Sequence, residues 1–285
     1  MKVRNNRDRK VAVIVPIYRK KLTRYETFSL QQCLQVFHSH PIALIAPDEW
    51  RSLGREWVVD VLKQLPSHDL EFSNNLVVEY FPAECFQSVN SYNRLLLSKD
   101  FYLRFENFEF ILIYQLDAFV FSDQLMKWCE QGFDYIGAPW FGVDWIQEPI
   151  LRKGEFHRWK RRFLRRFFSD PIYMVGNGGF SLRKTRAFLN WLNLFHNQAR
   201  EWEFHEDTFW GIFIRANFPF VRFPKINQAL EFSFEVQPRD CYAMNNNQLP
   251  FGCHAWWTYD LEFWQPWIEK FGYQINPEEC SEPFN

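Results

Sequence analysis

The 285 residues carry 33 Lys and Arg against 34 Asp and Glu, and a net charge of -1 excludes a global field that would recruit nucleic acid. Hydrophobic residues at 47% and charged residues at 24% exclude a disordered chain, and no stretch approaches the twenty or so uninterrupted apolar residues a membrane helix needs. Aromatic residues are the anomaly at 20%: 32 Phe, 13 Trp and 11 Tyr point either to rings lining a concave surface, where the apolar face of a sugar stacks, or to an over-aromatic core.

The charged start "MKVRNNRDRK" meets one strand-length run, "VAVIVPIY", too short for the apolar region of a secretory signal, so a cytoplasmic protein is expected. Cys33, Cys85, Cys129, Cys241, Cys253 and Cys280 show no C-x-x-C spacing. That pattern fits a reduced compartment and six packing residues rather than structural zinc or a disulfide framework.

In chain order the pattern is strand, helix, strand, helix. "KVAVIVPIY" (10–18) is a continuous apolar run, as a strand covered on both faces would be. Residues 23–39 predict a helix with Phe28, Leu30, Leu34 and Phe37 near helical spacing and a Thr23/Glu26 capping box. "PIALIAP" (41–47) predicts a second strand, 48–65 a second helix, "LVVEYF" (76–81) a third strand, 86–98 a further helix and "FEFILIYQL" (108–116) a fourth strand. Alternation of this kind predicts an α/β fold, a mostly parallel sheet with helices on both faces. With no repeat, linker or composition break, a single domain over 1–285 is expected, with halves at about 10–120 and 121–260 and a C-terminal helix and tail over 261–285.

"YQLDAFVF" (114–121) interrupts an apolar run with one carboxylate, Asp117. Burying it unpaired is costly, and ligands bind outside the carboxyl ends of parallel strands, so Asp117 is expected at that rim. Downstream come "YIGAPW" (135–140), "VGNGGFSLRK" (175–184), "FHEDTFWG" (204–211) and "FGCHAWW" (251–257). Gly178 and Gly179 let backbone amides approach a ligand and accept positive φ, or they mark a tight hairpin. Glu206 and Asp207 open a helix, where the dipole favours acids in any case. His254 alone is more often a satisfied core histidine than a ligand.

Taken together, "YQLDAFVF", "DYIGAPW", "NGGFSLRK" and "EDTFWG" resemble a bacterial family of glycosyltransferase-like domains of unknown function over about residues 75–260. Their order is similar to that of nucleotide-sugar glycosyltransferases with the GT-A fold, including the Fringe and core-1 galactosyltransferase group. The resemblance implies transfer of a sugar from a nucleotide-sugar donor to a hydroxyl of a glycan or lipid-linked glycan, in the inverting sense, with Asp207 as general base and Glu206 second. It puts the donor at Pro16, Ile17, Tyr18, Asp48, Tyr92, Asn93, Asp117, Asn177, Gly178 and Gly179. Asp117 takes the first position of the D-x-D motif that holds the donor diphosphate through Mn²⁺ or Mg²⁺, but Phe119 breaks the third. Either Asp117 and His254 share the ion, as a late His does in metal-dependent relatives, or Asp117 binds donor hydroxyls without one. Arg183, Lys184 or the ion would offset the leaving-group charge.

Residues 151–168 carry eight Lys and Arg against one Glu, or +7, leaving -8 for the remainder. With Trp159, Phe163, Leu164 and Phe167 on one side and Arg161, Arg162 and Arg165 among the cations, this stretch reads as a solvated helix packing its rings on the domain. Two other readings are a helix lying on an anionic membrane at the inner face, near a lipid-linked acceptor, and a surface for an anionic glycan. Trp140 and Trp256 are expected on the acceptor side. The rival to an enzyme is a carbohydrate-binding protein that kept the fold and lost the chemistry, with Phe119 in its favour and the Glu206/Asp207 pair against it. A haloacid-type phosphatase needs a second Asp where Phe119 stands.

Overall fold

The structure is a computed structural model and describes residues 10–67, 75–141, 173–218 and 220–277. Its first four apolar runs become β1 (Val11–Pro16), β2 (Ile42–Pro47), β3 (Leu76–Phe81) and β4 (Phe110–Tyr114). They stand side by side in the order β3-β2-β1-β4, every neighbouring pair parallel. β1 shows why no polar alternation marks these strands. Val11, Val13 and Val15 enter one apolar cluster with Leu30, Cys33, Leu34 and Phe37, while Ala12 and Ile14 enter another with Leu96, Phe101, Phe188 and Trp210. Both faces are covered, so each side chain must be apolar.

Helix α1 (Arg24–Val36) begins at the expected capping box: the Thr23 hydroxyl accepts from Glu26 N–H and the Glu26 carboxylate accepts from Thr23 N–H. The helix expected over 48–65 is two pieces, a 3₁₀ turn Asp48–Leu53 and α2 (Glu56–Leu62). Between them Gly54 takes φ 59°, a conformation that ends the first piece. Helices α3 (Val89–Leu96) and α4 (Lys99–Arg104) then lead into β4.

Beyond β4 the sheet changes character. The strand expected over 108–116 ends at Tyr114, and Gln115–Ala118 form a turn closed by Ala118 N–H to Gln115 O at 2.9 Å. Asp117 sits in that turn, and the apolar residues after it belong to another strand, β5 (Phe119–Val120). There follow α5 (Leu125–Gln131), β6 (Tyr135–Ile136), β7 (Pro139–Phe141), β8 (Tyr173–Val175), β9 (Phe180–Lys184) and α6 (Thr185–Leu194). β9 lies antiparallel between β4 and β6, completing the order β3-β2-β1-β4-β9-β6, and β7 pairs with β8. β10 (Ser233–Phe234) and β11 (Gly252–Cys253) join β5 in a small sheet, β10-β11-β5. Under it Phe119, Trp256, Trp264 and Tyr273 form a third apolar cluster.

Much of the aromatic excess is therefore core: Trp57, Trp128, Trp210, Trp256 and Trp264 are among the largest fully buried side chains. Cys33, Cys129, Cys241 and Cys253 are buried thiols and Cys85 is half-buried, all unpaired; Cys280 lies outside the described residues. Among the described residues no helix is long and apolar enough to cross a membrane. The basic stretch 151–168, with Trp159, Arg161, Arg162 and Arg165, also lies outside them.

Candidate active site

Two polar groups meet on the segment Asn177–Gly178–Gly179, at the start of β9 and beside the end of β4, where Gln115 N–H donates to Gly179 O at 2.8 Å. The left-handed residue is Asn177 (φ 56°), which asparagine tolerates, and neither expected glycine has a positive φ. The glycines are needed for space. A Cβ at Gly178 would lie 2.0 Å from Glu206 Oε1, and one at Gly179 would lie 2.0 Å from His254 Nε2. Each lets a functional side chain rest on the backbone.

The first group is Asp117, His254 and Glu235. His254 Nε2 stands 3.0 Å from Asp117 Oδ1 and 3.1 Å from Gln115 Oε1, and its Nδ1 stands 3.0 Å from Glu235 Oε1. Burial pulls the imidazole pKa down, but the Asp117 and Glu235 carboxylates override it and push it up to about 10. At that pKa His254 is an imidazolium, with Nε2 facing Asp117, Nδ1 facing Glu235 and the Asn177 amide nitrogen 2.7 Å from Nδ1. Strand register sets the geometry: Phe234 pairs with Cys253 in the parallel β10-β11 ladder, so the residues that follow, Glu235 and His254, emerge side by side.

The second group is Glu206, Asp207 and Arg183. Arg183 and Glu206 are buried and paired at two points, Nη2 to Oε1 at 2.7 Å and Nη1 to Oε2 at 3.2 Å. Arg183 also donates to Tyr102 Oη, Ser181 Oγ and Gly178 O. Burial works against its charge, and the Glu206 carboxylate more than compensates, holding it firmly protonated. Asp207 is different. Its Oδ2 accepts from Gly178 N–H at 3.2 Å, whereas its Oδ1 has no hydrogen-bond partner among the described residues. Burial, then the charges of Glu206 and Glu235, push its carboxyl up to about 7 against the N–H groups of Gly178 and Thr208.

Other expected residues fall into distinct places. Pro16 and Ile17 are buried at the end of β1, Tyr18 donates to Glu26 at 2.5 Å, and Asp48 accepts from Ala83 N–H across the ends of β2 and β3. Asn93 serves the protein: its Oδ1 accepts from Glu206 N–H at 3.3 Å, capping the helix that carries Asp207. Tyr92 is close enough to feel Arg183, Glu206 and Asp117. The structure corrects two acceptor-side expectations. Trp256 is fully buried with Nε1–H on Ser29 Oγ, and Trp140 is buried with Nε1–H on Glu235 Oε2, so both rings are interior. It corrects the two proposed cations as well: Arg183 is committed to Glu206, and Lys184 pairs with Phe110 at the opposite end of β4.

Glu235 and Gln115 were not singled out by sequence. Glu235 closes the apolar run "FSFEV", the same interruption that marks Asp117, so the signal was present.

Asp117 and His254 suit a divalent ion on one count. Their 3.0 Å separation matches the edge of an octahedron with ligand distances of about 2.1 Å, and Glu235 on the far nitrogen is the usual orienting partner of a ligating histidine. Among the described residues no third His, Cys, Asp or Glu joins them, so water and substrate oxygens would complete the shell.

Residues 75–254 match a family model described as "Protein of unknown function (DUF5672)". No curated protein matches the chain in sequence. Among solved structures it is similar to the galactosyltransferase LgtC, solved with donor and acceptor sugar analogs, at 12% identity and a TM-score of 0.50, covering 94% of this chain and 98% of that one. Mouse xyloside xylosyltransferase 1 in its apo form aligns at 12% identity and a TM-score of 0.48, over 87% of this chain and 97% of that one. At these identities the likeness to LgtC concerns the fold alone, and the mixed sheet is that of the GT-A glycosyltransferases.

Proposed function

The chain belongs to that DUF5672 family, and we propose that it is a glycosyltransferase, moving a sugar from a nucleotide-sugar donor to a hydroxyl of a glycan or lipid-linked glycan. The observation that carries this reading is the convergence of two unlike carboxylates on one three-residue segment. Asp117 is locked to a histidine, and Asp207 has one oxygen without a partner among the described residues and a pKa near neutrality.

A general base works best when its pKa is close to the working pH, and Asp207 meets that condition, while both oxygens of Glu206 are taken by Arg183. In this reading Asp207 Oδ1 takes the proton of the acceptor hydroxyl as its oxygen attacks the anomeric carbon from the face opposite the diphosphate, giving inversion. Glu206 and Arg183 hold the turn on which Asp207 stands. Charge supports a divalent cation as part of the reaction. Among the described residues Arg183 matches Glu206 and the His254 imidazolium matches one of Asp117 and Glu235, so a carboxylate is left over, joined by a second when Asp207 ionises. Those carboxylates repel a diphosphate. Mn²⁺ or Mg²⁺ held by Asp117 and by His254, which would have to give up its Nε2 proton to ligate, would offset that repulsion and the charge developing on the leaving group.

A thermal-shift series with a panel of nucleotide sugars, with and without Mn²⁺, tests the reading. One sugar nucleotide should raise the melting temperature, and the rise should be larger with Mn²⁺. No shift with any member of the panel would contradict it.

A further inference from the structure

Glu235 has no place among the residues expected from sequence, yet three separate stretches of chain converge on its carboxylate. Trp140 Nε1–H donates to Oε2 at 2.9 Å, Asn177 Nδ2 donates to Oε1 at 2.6 Å, and His254 Nδ1 stands 3.0 Å from Oε1 and 2.7 Å from Asn177 Nδ2. The side chain is buried, so these bonds are not shared with bulk water. Each partner is fixed from another side. Asn177 Oδ1 accepts from Phe180 N–H at 2.9 Å, which sets the amide so that its NH₂ faces Glu235. The Trp140 ring lies against Gly176, where a Cβ would come within 1.9 Å of it. His254 is held by its backbone N–H on Phe234 O at 3.0 Å.

We infer that Glu235 is a positioning residue: it clamps the His254 imidazole through Nδ1, so that Nε2 is presented to Asp117, and ties that pair to the Asn177–Gly178 segment on which Asp207 rests. The inference rests on the proposed function for its purpose, since a fixed Nε2 matters when Asp117 and His254 act together on the donor. Its geometry does not depend on that reading. A carboxylate suits the position because it accepts from three N–H groups at once. A glutamine would offer one oxygen and turn its NH₂ toward a donor, breaking at least one of the three bonds.

The test uses the full chain labelled with ¹⁵N-histidine. In the wild type the His254 Nδ1–H should give a slowly exchanging signal, identified by its absence in His254→Gln. Glu235→Gln should speed its exchange about tenfold, as expected for the loss of a charge-assisted bond, with the far-ultraviolet circular dichroism unchanged. Glu235→Asp, which retracts the carboxylate by one methylene, should give an intermediate rate. A wild-type protein with no protected Nδ1–H on His254 would overturn the inference without any variant, as would a Glu235→Gln protein with unaltered exchange. A Mn²⁺ titration adds a second arm: Glu235→Gln should weaken binding about 10- to 100-fold. Unchanged Mn²⁺ affinity in the variant would overturn the inference. A wild type that binds no Mn²⁺ would count against the proposed cation, while the exchange measurement would still decide the role of Glu235.

Discussion

Asp207 and Glu206 are adjacent acids at one helix start, and their partners send them to different tasks. Glu206 spends both oxygens on Arg183, whereas Asp207 keeps one oxygen unpartnered among the described residues. The pKa of about 7 has a consequence for stability that needs no substrate. A carboxyl whose folded pKa lies above its unfolded value of about 3.9 contributes stability that is fully present below pH 4 and lost as pH rises through 7. Asn keeps an oxygen for Gly178 N–H and does not ionise. Urea unfolding should therefore find Asp207→Asn more stable relative to wild type at pH 8 than at pH 5. An equal difference at the two pH values would show that Asp207 titrates as an ordinary carboxylate.

At the scale of elements, the helix carrying Asp207 is short: Glu206–Thr208 runs into a π-helical turn at Phe209–Ile214 and then Arg215–Asn217. Such π segments recur at functional sites because they re-aim side chains within a helix. What fixes this one to the sheet is the Arg183–Glu206 pair, reaching from β9 to the helix start. Removing one partner from a buried pair leaves an uncompensated charge, so Arg183→Met should cost about 3–5 kcal/mol in a urea titration. Arg183→Met with Glu206→Gln should recover part of the loss. A loss below about 1 kcal/mol for Arg183→Met would mean that the pair is not what holds the helix. This is also where sequence was least informative. The strands and α1 could be read because continuous apolar runs and a capping box are local signals, whereas the Arg183–Glu206 pair and the Glu235 clamp join residues far apart in the chain. The predicted helix 48–65 failed for a local reason, the left-handed Gly54.

At the scale of the whole molecule, Phe119 shows how the fold decides a motif. Asp117 lies in a turn and Phe119 opens a strand of a different sheet, fully buried against Trp256 and Tyr273. The two positions share a spacing but not a surface. Phe119→Asp, which rewrites the sequence as D-x-D, should lower stability by about 3–5 kcal/mol through the lost ring, and further by the buried carboxylate, without strengthening Mn²⁺ binding. A stable variant with tighter Mn²⁺ binding would show that the turn can rearrange to face the crevice. The aromatic excess follows the same logic. Composition allowed either a sugar-binding surface or a ring-filled core, and much of it fills the core because three apolar clusters flank the sheets.

The central claim is that Asp117 on the donor and Asp207 on the attacking hydroxyl serve one crevice, and release of nucleoside diphosphate from a stabilising nucleotide sugar in the presence of Mn²⁺, with water as the acceptor, tests it most directly. The wild type should hydrolyse that donor slowly; Asp117→Asn should weaken donor binding, and Asp207→Asn should lower the rate about 10²- to 10⁴-fold with binding retained. Binding without release by the wild type, or release at an unchanged rate in Asp207→Asn, would contradict the account.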